Sequence, residues 1–178
     1  AMPAPCRIAS ASGQPRISTP LPASMRPISG SAIAATPRAT SSDFVNWSSG
    51  TKMTYRRFGE PAPFEQMYIN QTHPYFRAPH IYLAPAARFM QGRRAVSEAE
   101  AANGPKANFA DCSDAVLLST RGGFTYDRTF LEALVRPGPG IENWGTRSTY
   151  PALGIVPTGP GEMSFYVTRE YALPSVHL

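Results

Sequence analysis

A glycine-rich loop carries the strongest candidate for acid–base chemistry in this sequence. Glu142 directly follows the segment 137–141 and precedes Asn143 and Trp144. An indole beside a carboxyl group raises its pKa, so the pattern predicts a general acid flanked by two ligand-binding side chains. Arg147 acts in the opposite direction, because a nearby cation favours the ionised carboxylate. The alternatives are an acceptor for ligand hydroxyls, a structural bridge, or a solvated loop carboxylate.

Three further side chains stand at the starts of apolar runs and are candidates for the same site. Asp114 precedes an apolar strand, where it is either a catalytic carboxylate or a cap of that strand. Arg77 is predicted to clamp a ligand hydroxyl or carboxylate, or to form a structural ion pair. His80 is a candidate ligand contact, with a hydrogen-bonded core histidine as the alternative. Two carboxylates, Glu142 and Asp114, are therefore the predicted catalytic pair.

Composition and charge exclude several classes of protein. The 178 residues include 19 prolines and 14 glycines, and prolines spread along the whole chain break helices, which excludes a coiled coil or helical bundle. No apolar stretch approaches the ~18 residues of a membrane-spanning helix. Four of the five net positive charges lie in the first 42 residues, which contain no acid, so the remaining sequence is nearly neutral and does not predict a nucleic-acid-binding surface.

Cysteine and histidine are too few and too scattered for a metal site or a thiol nucleophile. Cys6 and Cys112 cannot build a disulfide framework, and no histidine stands where it would pair with either of them. The three histidines lack metal-ligand spacing, so we predict neither a metal nor a cofactor.

The chain divides by composition into a lead-in and a β-rich remainder. Residues 1–40 are rich in Pro, Ala and Ser, contain no aromatic residue and are predicted to be disordered. Residues 41–178 form the predicted folded part, an all-β unit with short aromatic and β-branched runs. The predicted strands are 44–47, 67–69, 80–83, 115–118, 153–156 and 163–167. A capping box, a Ser followed three residues later by Glu, predicts a helix at 97–102, and 129–135 suits a helical turn or a strand equally.

Two turn-like segments suggest an internal repeat. Residues 41–47 and 120–126 share a pattern of small polar residues followed by an aromatic residue, 79 positions apart. Pro79 and Pro151 follow the ends of these segments by 32 and 25 residues and begin the next apolar runs. The recurrence of two landmarks in the same order predicts equivalent hairpins in successive sheets.

These landmarks resemble the five-bladed β-propeller glycoside hydrolases of families 32 and 43. The resemblance is closest to a bacterial branch labelled family 32-like, and it is carried by the runs 70–80 and 114–123 and by Glu142–Trp144 followed by Arg147. It implies a partial propeller of about two four-stranded antiparallel blades, preceded by a disordered tail. The chain is then expected to be a fragment of a longer propeller.

The resemblance also implies a function. Family members are retaining glycosidases with two carboxylates in a central funnel, and the nucleophile is expected upstream of this chain. The stabilising carboxylate that precedes the strand-opening proline is replaced by Ala78 and by Tyr150. Two hypotheses therefore stay open: a hydrolase acting on a polysaccharide, and a non-catalytic carbohydrate-binding or structural propeller. Trp144 is a candidate stacking platform for a sugar ring, with hydrophobic packing between blades as the equal alternative. Low lysine content and a polysaccharide ligand favour an extracytoplasmic location, and the oligomeric state is left open.

Overall fold

The computed structural model describes residues 37–103, 107–145 and 148–171, and the fold over these residues is mostly β. This confirms the predicted all-β class. The strands are β1 (Pro37–Arg38), β2 (Thr51–Lys52), β3 (Thr54–Arg57), β4 (Glu60–Pro61), β5 (Gln66–Asn70), β6 (His73–Tyr75), β7 (Ala78–Met90), β8 (Cys112–Thr120), β9 (Thr125–Asp127), β10 (Tyr150–Pro151), β11 (Val156–Gly159), β12 (Glu162–Ser164) and β13 (Val167–Thr168).

One seven-stranded sheet forms the centre of the molecule. Its main order is β4-β3-β9-β8-β7-β5, and β6 also pairs with β7. All pairs in it are antiparallel except β3 and β9, which run parallel. Three two-stranded ribbons, β1-β2, β10-β13 and β11-β12, lie outside this sheet.

The longest strand pairing in the sheet is the antiparallel pair of β7 and β8. Nine consecutive residue pairs join them, from Tyr82 opposite Thr120 to Met90 opposite Cys112. Pro85 lies inside β7 although proline cannot donate to a ladder. It is tolerated because the other neighbour of β7 changes there from β6 to β5, and the carbonyl of Pro85 still accepts a 2.9 Å hydrogen bond from the backbone of Gln71.

The main cluster of buried apolar side chains lies on one face of the central strands, and Ala87 and Ala115 are buried on the other face. The main cluster consists of Met67, Ala84, Ala86, Val116, Leu118 and Tyr126, with Met53 and Tyr55 packed against it. The spacing of two within β7 and within β8 is what places these pairs on a common face. The opposite face of β8 meets the segment before β10, where the hydroxyl of Thr149 donates a 2.7 Å hydrogen bond to the carbonyl of Ser113.

The sheet arrangement corrects the predicted repeat. Two four-stranded antiparallel sheets were expected, whereas the described residues form one seven-stranded sheet with a parallel pair. Pro79 lies in β7 at the centre of this sheet, and Pro151 lies in β10 of a separate ribbon. Similar turn chemistry at 41–47 and 120–126 therefore fixes two local turns without making their flanking strands equivalent.

Several local predictions can be compared with the structure. The runs 67–69, 80–83 and 115–118 lie inside β5, β7 and β8 as expected, whereas 44–47 forms bends and 153–156 is extended only at Val156. The run 163–167 is divided between β12 and β13, and 129–135 forms neither a helix nor a strand beyond one bridge from Val135 to Ala115.

The predicted helix is present in the structure. In the described part of the chain, α1 (Glu98–Asn103) begins after Ser97, whose backbone N–H donates a 2.9 Å hydrogen bond to Glu100, so the capping box is confirmed. Short 3-10 helices also cover Ala107–Ala110 and Ile141–Trp144. The predicted disordered segment 1–40 falls outside the described residues except at its end, where Pro37 and Arg38 pair with β2. Among the described helices none is long and apolar enough to cross a membrane.

Candidate functional site

The site begins with a pair of charged residues that the strand register places side by side. Arg88 of β7 is directly opposite Asp114 of β8. Its Nε donates a 2.9 Å hydrogen bond to Oδ1 of Asp114, and its Nη2 donates a 2.7 Å bond to Oδ2. This two-point contact between guanidinium and carboxylate is the strongest geometry available to such a pair.

Two more charges extend the pair into a buried network. Glu65 accepts hydrogen bonds from Arg88 and, at 2.9 Å, from Nε of Arg128. Arg128 is fully buried, and both arginines also donate to the backbone carbonyl of Leu131. The hydrogen bonds that Arg88 donates to the Asp114 and Glu65 carboxylates raise its pKa above the ordinary value despite the opposing effect of burial. Two cations and two carboxylates thus balance inside the fold.

A polar cavity of about 420 Å³ opens beside this network. Its walls contain two of the predicted site residues, Asp114 and Trp144, together with further charged side chains. The full lining is Arg88, Arg93, Asp114, Glu132, Ala133, Arg136, Pro137 and Trp144. The volume falls within the range of small-molecule sites.

The arginines of this cavity differ in how far they are neutralised. Arg88 is bound by Asp114, and Arg136 forms an ion pair with Glu132. Arg93 makes no ion pair with any described residue; its guanidinium lies 5.6 Å from the centre of the Trp144 ring and contacts the sulfur of Met90. With three cations and two carboxylates in the lining, the formal charge of the cavity wall is +1. Arg93 is the cation left for a ligand.

Trp144 is held by the loop that the sequence singled out. Its indole N–H donates a 3.1 Å hydrogen bond to the carbonyl of Gly138, at the end of the 3-10 helix Ile141–Trp144. The buried Asn143 donates a 2.8 Å bond to the carbonyl of Pro139, and its own carbonyl accepts a 3.5 Å bond from Arg169. Asn143 therefore shapes the loop, and its role as a ligand contact stays a prediction.

Glu142 turns back over its own loop instead of lining the cavity. Its carboxylate accepts a 3.3 Å hydrogen bond from Asn143, and a β-carbon added to Gly140 would lie only 1.9 Å from Oε1 of Glu142. Gly140, at a φ of 97°, leaves the room that this carboxylate fills. The structure thus supports the structural alternative for Glu142 over the predicted general acid.

Asp114 is also poorly suited to acid–base catalysis. Both of its oxygens accept hydrogen bonds from Arg88, and its side chain is 3% exposed. A carboxylate held at both oxygens by a guanidinium is already engaged within the fold. The structure thus shows Asp114 in a buried ion pair and Glu142 over its own loop, and their predicted roles as a catalytic pair stay a prediction.

Arg77 and His80 lie at the far end of β7 from this cavity. Along one extended strand, His80 and Arg88 are separated by about 26 Å at ~3.3 Å per residue. Both predicted ligand contacts are exposed, and the Arg77 guanidinium lies 5.3 Å from the centre of the Phe76 ring. Arg77 and His80 were expected to lie in one site with Trp144, and the structure does not bring them into the cavity that Trp144 lines. Arg147 lies outside the described residues.

The most important site residues were missed because they lie within strands that looked purely structural. Arg88 is the one charged residue in the apolar second half of β7, and an isolated charge in such a run is the signal that a buried partner must exist. Glu65, Arg93 and Arg128 carry no such local signal. Across the described ranges, no three His, Cys, Asp or Glu side chains are grouped so that they could hold a metal ion.

Comparison with known proteins does not extend this description. The chain matches no protein-family model, no curated protein and no solved structure.

Proposed function

We propose that this protein binds carbohydrate without hydrolysing it, and that the cavity beside Trp144 is the binding site. This is the non-catalytic alternative of the two hypotheses drawn from the sequence. The observation that carries it is the double hydrogen bond between Arg88 and Asp114, which occupies the best-placed carboxylate of the cavity. The propeller and the glycosidase family remain predictions from the sequence.

The chemistry of the wall favours an acidic sugar. An aromatic side chain offers a flat apolar surface for a pyranose ring, and an arginine offers paired donors for a carboxylate. Trp144 and Arg93 supply these two features next to each other. Since Arg93 is the uncommitted cation, a polysaccharide of uronic acids fits the cavity better than a neutral one.

Binding to polygalacturonate, measured by affinity electrophoresis or calorimetry, tests the proposal. Trp144→Ala is expected to weaken binding at least tenfold, and Trp47→Ala is the matched control because Trp47 is exposed and does not line the cavity. Arg93→Gln is expected to weaken binding about fivefold and to reduce its salt dependence. The neighbouring Arg94, which pairs with Glu98, provides the control Arg94→Gln.

Neutral dextran and a reducing-sugar assay complete the test. Dextran is expected to bind weakly and to be insensitive to Arg93→Gln. Glu142→Gln is expected to change neither binding nor the reducing ends released from polygalacturonate. Binding that survives Trp144→Ala contradicts the site, and hydrolysis that depends on Glu142 restores the glycosidase hypothesis.

A further inference from the structure

A second, larger cavity is lined by residues of the segment from β2 to β5. Its volume is about 620 Å³, and it shares no lining residue with the cavity proposed to bind carbohydrate. The segment from β2 to β4 forms one wall, and the loop entering β5 forms the other. This volume is sufficient for a small organic molecule with a single ring and a short chain.

The walls of this second cavity are mainly apolar. Met53, Ala62, Pro63, Phe64 and Met67 contribute them. Phe64 is 68% exposed although it lines the cavity, so a large aromatic surface at this site is left in water. A ligand that covers this surface gains the free energy of burying apolar area.

One polar group in this apolar site is unsatisfied. Tyr55 lines the cavity, and its hydroxyl oxygen is buried without a hydrogen-bond partner in the described part of the chain. The ring contacts Tyr126 with centroids 6.2 Å apart, which fixes its position in the core. A buried donor without a partner is unfavourable, so an acceptor brought by a ligand would be bound selectively.

Some charged side chains around the cavity form ion pairs, and Lys52 forms none with the described residues. Arg56 forms a 2.8 Å ion pair with Asp127, and Glu65 is held by Arg88 and Arg128. Lys52 is exposed and forms no ion pair with any described residue. A negative charge at the mouth of the cavity would therefore meet an unpaired ammonium group.

We infer that this cavity binds a small amphipathic carboxylate, with an apolar body against Phe64 and Met67, an oxygen acceptor facing Tyr55 and its acid group near Lys52. Each part of the ligand corresponds to one feature of the wall: exposed apolar surface, an unpartnered donor and an unpaired cation. The inference does not depend on the proposed carbohydrate site.

A pair of ligands that differ in one atom isolates the role of the Tyr55 hydroxyl. The probes are γ-phenoxybutyrate and δ-phenylvalerate, in which a methylene group replaces the ether oxygen. Calorimetry on the wild-type chain is expected to show about fivefold tighter binding of the ether, because only the ether has an acceptor at the position that differs between the two probes. In Tyr55→Phe the two affinities are expected to become equal, whereas Tyr68→Phe, outside the cavity, is expected to keep the preference.

Two further variants locate the ligand. Ala62→Trp fills the cavity and is expected to abolish binding of both probes, and Lys52→Gln is expected to weaken both about threefold. Tyr55→Phe removes a buried hydroxyl that has no hydrogen-bond partner, so the variant is expected to stay folded. Its thermal unfolding curve checks this. A preference for the ether that survives Tyr55→Phe, binding that survives Ala62→Trp, or the failure of both probes to bind the wild-type chain overturns the inference.

Discussion

Removal of one partner from the Arg88–Asp114 pair is the most direct test of the buried network. Asp114→Asn keeps the shape of the side chain but removes one of the two carboxylates that bind Arg88, at a contact where the Arg88 and Asp114 side chains are 16% and 3% exposed. Breaking a buried ion pair in this way destabilises a protein by about 3–5 kcal/mol. We expect about 3 kcal/mol, because Glu65 still compensates Arg88. This corresponds to a fall in melting temperature of about 6–12 °C.

An exposed pair in the same sheet supplies a matched control. Arg56 and Asp127 are 2.8 Å apart, but their side chains are 52% and 40% exposed. Asp127→Asn makes the same chemical change in water and is expected to lower the free energy of unfolding by less than ~1 kcal/mol. The two variants therefore differ mainly in the burial of the carboxylate that is replaced.

Urea unfolding of a double-mutant cycle measures the interaction itself. The cycle compares Asp114→Asn, Arg88→Met and the double variant, and a coupling of about 2 kcal/mol is expected. The double variant should be less destabilised than the sum of the single variants, because no unpaired charge remains at that contact. The reasoning is refuted if Asp114→Asn is no more destabilising than Asp127→Asn, or if the coupling is below ~0.5 kcal/mol.

Three further predictions concern single residues. Burial, reinforced by Tyr126, raises the pKa of Tyr55 from its ordinary value of 10 to about 12. The neutral hydroxyl is therefore favoured in the folded state, and about 2–3 kcal/mol of folding stability is lost as the pH rises from ~10 to ~12. Alkaline unfolding of Tyr55→Phe should lack this loss. Burial raises the pKa of the Cys112 thiol to about 11, so in a Cys6→Ser background its reaction with Ellman's reagent should be about 100-fold slower than that of a free thiol until the chain unfolds. Gly140→Ala and Gly122→Ala should each destabilise the fold by about 1–3 kcal/mol, because both positions have positive φ. Gly145→Ala should cost less than ~1 kcal/mol, because Gly145 has a φ of −83° and an added methyl group would lie 3.6 Å from its nearest neighbour; equal effects of all three variants in chemical denaturation would contradict this.

Local chemistry was predictable wherever neighbouring residues determine the structure. The capping box at Ser97 needs only a hydroxyl and a carboxylate three residues apart, and it formed as expected. The apolar runs at 67–69, 80–83 and 115–118 became strands because β-branched and aromatic side chains suit an extended backbone. The loop around Trp144 was recognised from its glycines and prolines, although the roles of its polar residues were not.

Pairing between distant segments was decided by the tertiary structure alone. The sequence contains no local signal that β3 and β9 lie parallel, or that Arg88 is opposite Asp114, because register depends on how two strands bury a common face. Two similar turns suggested a repeat, yet Pro79 and Pro151 lie in different sheets. The site followed from this register: it changed Asp114 from a candidate catalyst into the partner of a buried arginine, and it left Arg93 beside Trp144 as the free cation.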